Sequence, residues 1–116
     1  MQNSEIVLEP EQEQAIQHKK GHLRIVACPG SGKTETVSRR IVELIKEIKK
    51  DVDFAFYPYE AYMIYSIVKT QTSLEGDLAE VGVYQGGSAK LICEVKEKKK
   101  LYLFDTFTGL PKVSDD

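Results

Sequence analysis

Ala27-Cys28-Pro29-Gly30-Ser31-Gly32-Lys33-Thr34 separates two segments of different character. Before it runs a short apolar stretch, Leu23 to Ala27. After it an amphipathic segment opens near Lys33. The order reads as strand, tight loop, helix. Gly30 and Gly32 let the backbone turn sharply, so several N–H groups can converge on one point. The helix behind the loop adds the positive end of its dipole. Such a cradle suits a phosphate chain. Lys33 would reach the β- and γ-phosphates, and Thr34 would set its hydroxyl on a magnesium ion. Pro29, Gly30, Ser31, Gly32, Lys33 and Thr34 are therefore candidate ATP-binding residues. Ala27 stands where such loops usually open on glycine.

A second glycine turn lies at 82–87. Five of the eight glycines fall in these two loops, where close backbone approach to a ligand would need them. With 116 residues there is room for one domain or for two fragments sharing a core. The chain is 41% hydrophobic and 29% charged, which excludes the disordered and membrane classes. No apolar run approaches the roughly 20 residues that span a bilayer. The polar, acidic start, Met1 to Glu5, does not have the form of a signal peptide, and a cytoplasmic location is the default expectation. Net charge is −2, and the lysine clusters at 19–20, 49–50 and 98–100 sit at expected helix ends, so nucleic-acid binding is not expected. Cys28 and Cys93 have no metal-like spacing and read as buried thiols.

The expected class is α/β, with a small parallel sheet of three strands at about 22–28, 77–83 and 101–105. Helices at about 10–19, 33–49, 58–72 and 87–98 flank it. Pro10 suits the first turn of its helix, and Glu11 and Glu13 complement the dipole there. Val37, Ile41, Leu44, Ile45 and Ile48 repeat at helical spacing, with Arg39, Arg40, Lys46 and Lys49 elsewhere on the wheel. Asp51 to Tyr57 reads as a linker with an aromatic docking turn. Tyr62, Ile64, Tyr65, Ile67 and Val68 are candidate core residues of the next helix. Ala89, Ile92, Cys93 and Val95 are those of the last. The chain divides at about residue 50, as 1–50 and 51–116, and the halves are expected to pack as one compact unit. The open sheet edges predict a dimer or higher oligomer.

Leu8-Glu9-Pro10-Glu11-Gln12-Glu13-Gln14-Ala15-Ile16, then Leu23 to Ala27, the loop, and Thr36 to Leu44 together resemble the N-terminal edge of UvrD-like superfamily 1 DNA helicases, over residues 6–46. The resemblance implies that Gln12 reads the adenine edge. Glu9 stands where Asn is usual, and Cys28-Pro29 where small residues are usual; Pro29 has no N–H to give. The family's distant Asp-Glu pair, and the arginines of its second motor domain, have no counterpart here. Leu101 to Asp105 has the form of a strand leading to a magnesium-holding acid, but Thr106 follows where a water-aligning Glu would stand. Nucleotide binding without hydrolysis or DNA unwinding is the expectation.

Residues 54–116 carry a different resemblance. Glu80-Val81-Gly82-Val83-Tyr84-Gln85-Gly86-Gly87-Ser88-Ala89 with Leu103-Phe104-Asp105-Thr106-Phe107-Thr108-Gly109-Leu110-Pro111 is similar to class I S-adenosylmethionine (SAM) methyltransferases of the macrocin O-methyltransferase (TylF) type. The resemblance implies that Gly82, Gly86 and Gly87 admit SAM, that Glu80 lies near its amino-acid end, and that Asp105 accepts the ribose hydroxyls. The adenine pocket and the methyl-acceptor site would lie beyond residue 116, so methyl transfer is not expected. Three readings stand at this level: an ATP-binding fragment without turnover, a SAM-binding module, and a ligand-free chimeric or engineered scaffold.

Overall fold

Helix α2, Lys33–Ile48, carries the stripe on which the core is built. Ile41, Ile45 and Ile48 are buried, with Val37 and Leu44 half-buried beside them. The computed structural model describes residues 7–18, 23 and 32–113. Around α2 stand α1 (Pro10–Gln17), α3 (Pro58–Gln71), β1 (Leu78–Val81), α4 (Gly87–Val95) and β2 (Leu101–Phe104). The core joins the three isoleucines to Phe54 of the linker, Ala61 of α3 and Leu91 of α4. Burying a side chain of this size contributes about 1.5–3 kcal/mol, so these contacts carry much of the packing between α2, α3 and α4. Phe54 meets Phe56 edge to face, with centroids 5.6 Å apart, which fits the expected aromatic turn.

β1 and β2 pair in parallel, joined through α4, with Leu78 opposite Leu101 and Val81 opposite Phe104. Asp77 extends the pairing, its carboxylate accepting the Lys100 N–H at 2.9 Å. The register sorts the side chains. Leu78, Glu80, Leu101 and Leu103 share the face on which α4 lies, where Ser88 of α4 donates to Glu80. Ala79, Val81, Tyr102 and Phe104 share the other face, and all four are exposed.

The α/β class and the four helices agree with the sequence reading; a three-stranded sheet does not. Among the described residues the sheet has two strands. The strand expected at 22–28 lies outside them except for Leu23, which is in no strand. Elements are one to three residues shorter than expected, for local reasons. α1 stops at Gln17 because His18 turns extended (φ −62°, ψ 117°). β1 stops before Gly82, which takes φ +81°, and the chain leaves α4 through Glu97 at φ +56°.

Three burial expectations are corrected. Ile67 is 56% exposed, because the inward stripe of α3 runs through Ala61, Ile64, Tyr65 and Val68. Cys93 is exposed: it lies two residues, about 200°, round the helix from buried Leu91. Cys28 lies outside the described residues. Arg40, placed off the apolar stripe of its helix, is buried as well.

Candidate functional site

The burial of Arg40 is what holds the first site together. An α-helix leaves its last carbonyls without intrahelical donors. Arg40 Nη1 donates to the carbonyls of Ala15, at 3.0 Å, and His18, at 2.8 Å. The C-terminal end of α1 is thereby fixed to α2. At its other end α1 opens on Glu9 and Pro10 with a reciprocal cap, in which the Glu9 N–H donates to Gln12 Oε1 at 2.8 Å. Both contacts set where Gln12 points.

Gln12 points at Gly32. That glycine precedes α2 in the left-handed conformation, φ +79° and ψ 18°. A Cβ built on it would lie 2.7 Å from Gln12 Nε2. The position therefore needs glycine for its backbone and for room. The Gly32 carbonyl accepts the N–H and the hydroxyl of Thr36, each at 2.9 Å, and Thr36 is buried. Lys33 and Thr34 follow, both exposed on the first turn of α2, where N–H groups lack intrahelical partners and the dipole is positive. They also line a cleft of about 380 Å³ whose opposite wall is α3. Gln12, Gly32, Lys33 and Thr34 are thus brought together; Pro29, Gly30 and Ser31 lie outside the described residues. Sequence reasoning missed Arg40 and Thr36 as supports, because each acts by holding backbone groups of neighbouring segments. Only the pairing of a helix end with an arginine about two turns into the next helix could have suggested the first.

The second glycine turn is built differently. Gly82 and Gly86 are left-handed, φ +81° and +83°, and a Cβ on either would meet none of the described residues within 4 Å. Gly87 is tight for another reason: its Cβ would lie 2.9 Å from the Phe54 ring and 3.3 Å from the Asp53 carbonyl. Its smallness serves packing against the linker. Asp53 N–H also donates to Gln85 Oε1 at 2.8 Å, tying the turn to the same linker.

Asp105 lies just past β2 and reaches across to the turn. Its Oδ2 accepts the N–H of Val83 at 2.7 Å and of Tyr84 at 3.3 Å; its Oδ1 accepts the N–H of Phe107 at 2.9 Å and the Thr106 hydroxyl at 3.4 Å. The N–H groups of Phe107 and then Val83 hold its carboxyl below the usual carboxylate range. A carboxylate offers about four lone-pair sites, and all four directions are taken. Glu80 Oε1 accepts from Ser88, while its Oε2 is buried without a partner. A cleft of about 740 Å³ runs along Gly82, Tyr84, Asp105 and Thr106 to Pro111. Glu80, Gly82, Gly86, Gly87 and Asp105 therefore cluster at one end of the two strands. Among the described residues no group of three or more His, Cys, Asp or Glu is placed to hold a metal, and no helix is long and apolar enough to cross a membrane.

Comparison with known families finds two separate matches along the chain. Residues 8–54 match the UvrD/REP helicase N-terminal domain, and residues 63–116 match macrocin O-methyltransferase (TylF). No curated protein and no solved structure matches the chain. The chain is a fusion of two fragments, one helicase-like and one methyltransferase-like, with the junction between residues 54 and 63.

Proposed function

We propose that this chain binds ATP with magnesium at the loop that ends in Gly32, Lys33 and Thr34, without completing turnover. The observation that carries the reading is the placement of the Gln12 amide over left-handed Gly32, beside exposed Lys33 and Thr34. A planar amide, a backbone turn open to close approach, a cation and a hydroxyl converge at a helix N-terminus. Together they suit an adenine edge, a phosphate chain and a magnesium ion carried on it. Thr34 supplies the magnesium hydroxyl, and the phosphates supply the rest. Against turnover stands the acid at the end of β2: Asp105 is engaged with the backbone of its own loops, and Thr106 follows it.

The test is a thermal melt of the whole chain with Mg·ATP, with S-adenosylhomocysteine, and with neither. A ligand that binds only the folded state stabilises by mass action, about 2.7 kcal/mol at a hundredfold excess over Kd. Mg·ATP should raise the midpoint, and Lys33→Ala should remove the rise. A melt indifferent to both ligands would sink the reading and leave a scaffold without a ligand of its own.

A second reading, SAM binding at the 82–87 turn, is favoured by the cleft along Gly82 and Asp105. Its weakness is the full coordination of Asp105, which would have to surrender donors to a ribose. The exposed face of Ala79, Val81, Tyr102 and Phe104 supports self-association of the chain; light scattering across a concentration series reads it.

A further inference from the structure

The cleft beside Lys33 has two walls of different origin. Lys33 and Thr34 lie on α2, within the helicase-like residues 8–54; Tyr65, Ser66 and Lys69 lie on α3, within the methyltransferase-like residues 63–116. Tyr62 lies in the junction between the matches. Neither family match contains both walls. We propose that the nucleotide site is composite, with a nucleoside triphosphate held between Lys33 and Lys69 at its phosphates and against Tyr62 and Tyr65 along its base and ribose. The proposal rests on the ATP reading above and adds the second wall to it.

The cleft, about 380 Å³, is large enough for a small-molecule site. Its lining is mixed. It includes a lysine on the first turn of α2 and a second lysine from α3. It also includes two tyrosines, half-buried and packed against the shared core. A wall already ordered by packing costs little further entropy when a planar ring lies on it. Ser66 and Thr34 add hydroxyls to the lining. Lys69 Nζ now lies 3.1 Å from Glu97 Oε1, with the two side chains 38% and 45% exposed. An exposed pair of this kind is weak and screened. A triphosphate carries more charge than one carboxylate, so Lys69 can exchange its partner for the ligand.

Calorimetric titration of the full chain with Mg·ATP and with Mg·tripolyphosphate tests the second wall. Lys69→Met should weaken both ligands about tenfold, the loss of one charge-assisted contact, while melting like the parent without ligand. Glu97→Gln should tighten both by freeing Lys69. Tyr65→Ala should weaken ATP and leave tripolyphosphate unchanged; if it lowers the melt, Tyr62→Leu repeats the comparison from the other ring. If Lys33→Ala loses binding while Lys69→Met and Glu97→Gln keep the parent's affinity, the composite wall is overturned and the phosphate-loop reading stands. If the parent binds no Mg·ATP, both fall.

Discussion

Gly32 and Gly86 do the same backbone work in two places. Each precedes a helix in the left-handed conformation, at φ +79° and +83°. Their surroundings differ. Gly32 has the amide of Gln12 against it, and Lys33 and Thr34 beyond are exposed. No described residue lies within 4 Å of where a Cβ on Gly86 would go, and the residue after it is locked against Phe54. The acid nearest the second turn is engaged by backbone N–H groups, whereas the cation nearest the first is exposed. A glycine turn before a helix therefore marks a backbone geometry. Whether it marks a binding site depends on the side chains brought over it.

The most severe way to test that the two turns share a structure is to remove their common core. Leu91 is fully buried on α4 and clusters with Ile41 and Ile45 of α2. Leu91→Ala should cost about 2–5 kcal/mol, and the α2 and α4 signals should melt together in hydrogen exchange. Two separate transitions would show that the helicase-like and methyltransferase-like segments are independent, and the comparison would then be between two proteins on one chain.

The glycines themselves come next. Gly87→Ala should cost about 1–3 kcal/mol, because its Cβ meets an aromatic ring and a backbone carbonyl that cannot easily retreat. Gly32→Ala and Gly86→Ala should each cost less, about 1–2 kcal/mol for the left-handed backbone. At Gly32 the close neighbour among the described residues is the far end of a flexible glutamine. The two differ in ligand response: Gly32→Ala displaces Gln12 and should reduce the Mg·ATP shift, and Gly86→Ala should leave it intact. Equal loss of that shift in both variants would erase the distinction between the turns.

Much of this was legible in the sequence, because the strongest signals are local. The isoleucine spacing of α2, the proline starts of α1 and α3, and the two glycine turns each state a backbone preference within a few residues. Gly32 is read from the loop itself and Gln12 from the resemblance, but the contact between them is not in either reading. What could not be read depends on which side of an element meets another. Arg40 differs from Arg39 only in its place on the wheel, yet Arg40 is buried under α1 while Arg39 makes an exposed-side pair with Glu35. Gly87 was assigned to cofactor approach, whereas its contact is with Phe54, more than thirty residues earlier in the chain. Ile67 and Cys93 failed for the same reason: apolar character does not fix a helix's rotation when α3 and α4 have apolar residues on several sides.

The finest comparison is between two carboxylates held below their ordinary range by different means. Asp51 is lowered chiefly by the side chain of Lys90, whose ammonium lies 2.7 Å away. Asp105 is lowered chiefly by the backbone N–H groups of Phe107 and Val83. In both the folded-state pKa lies below the unfolded value. Each therefore contributes stability that is present above the unfolded pKa and lost as pH falls through the folded one. Melts between about pH 5 and pH 2 should show that loss. Asp105→Asn and Asp51→Asn should each flatten it slightly, and each variant should converge on the parent at the acid end. Salt separates the two. The Asp51–Lys90 pair is exposed, so its share should fade at about 1 M salt, where screening reaches only about 3 Å. The Asp105 share should persist, because its partners are fixed dipoles within hydrogen-bond reach. If salt removes both shares alike, Asp105 is responding to net charge, and its four contacts do not clamp the turn in solution. The ribose reading of that acid would then regain the lone pairs that the clamp now occupies.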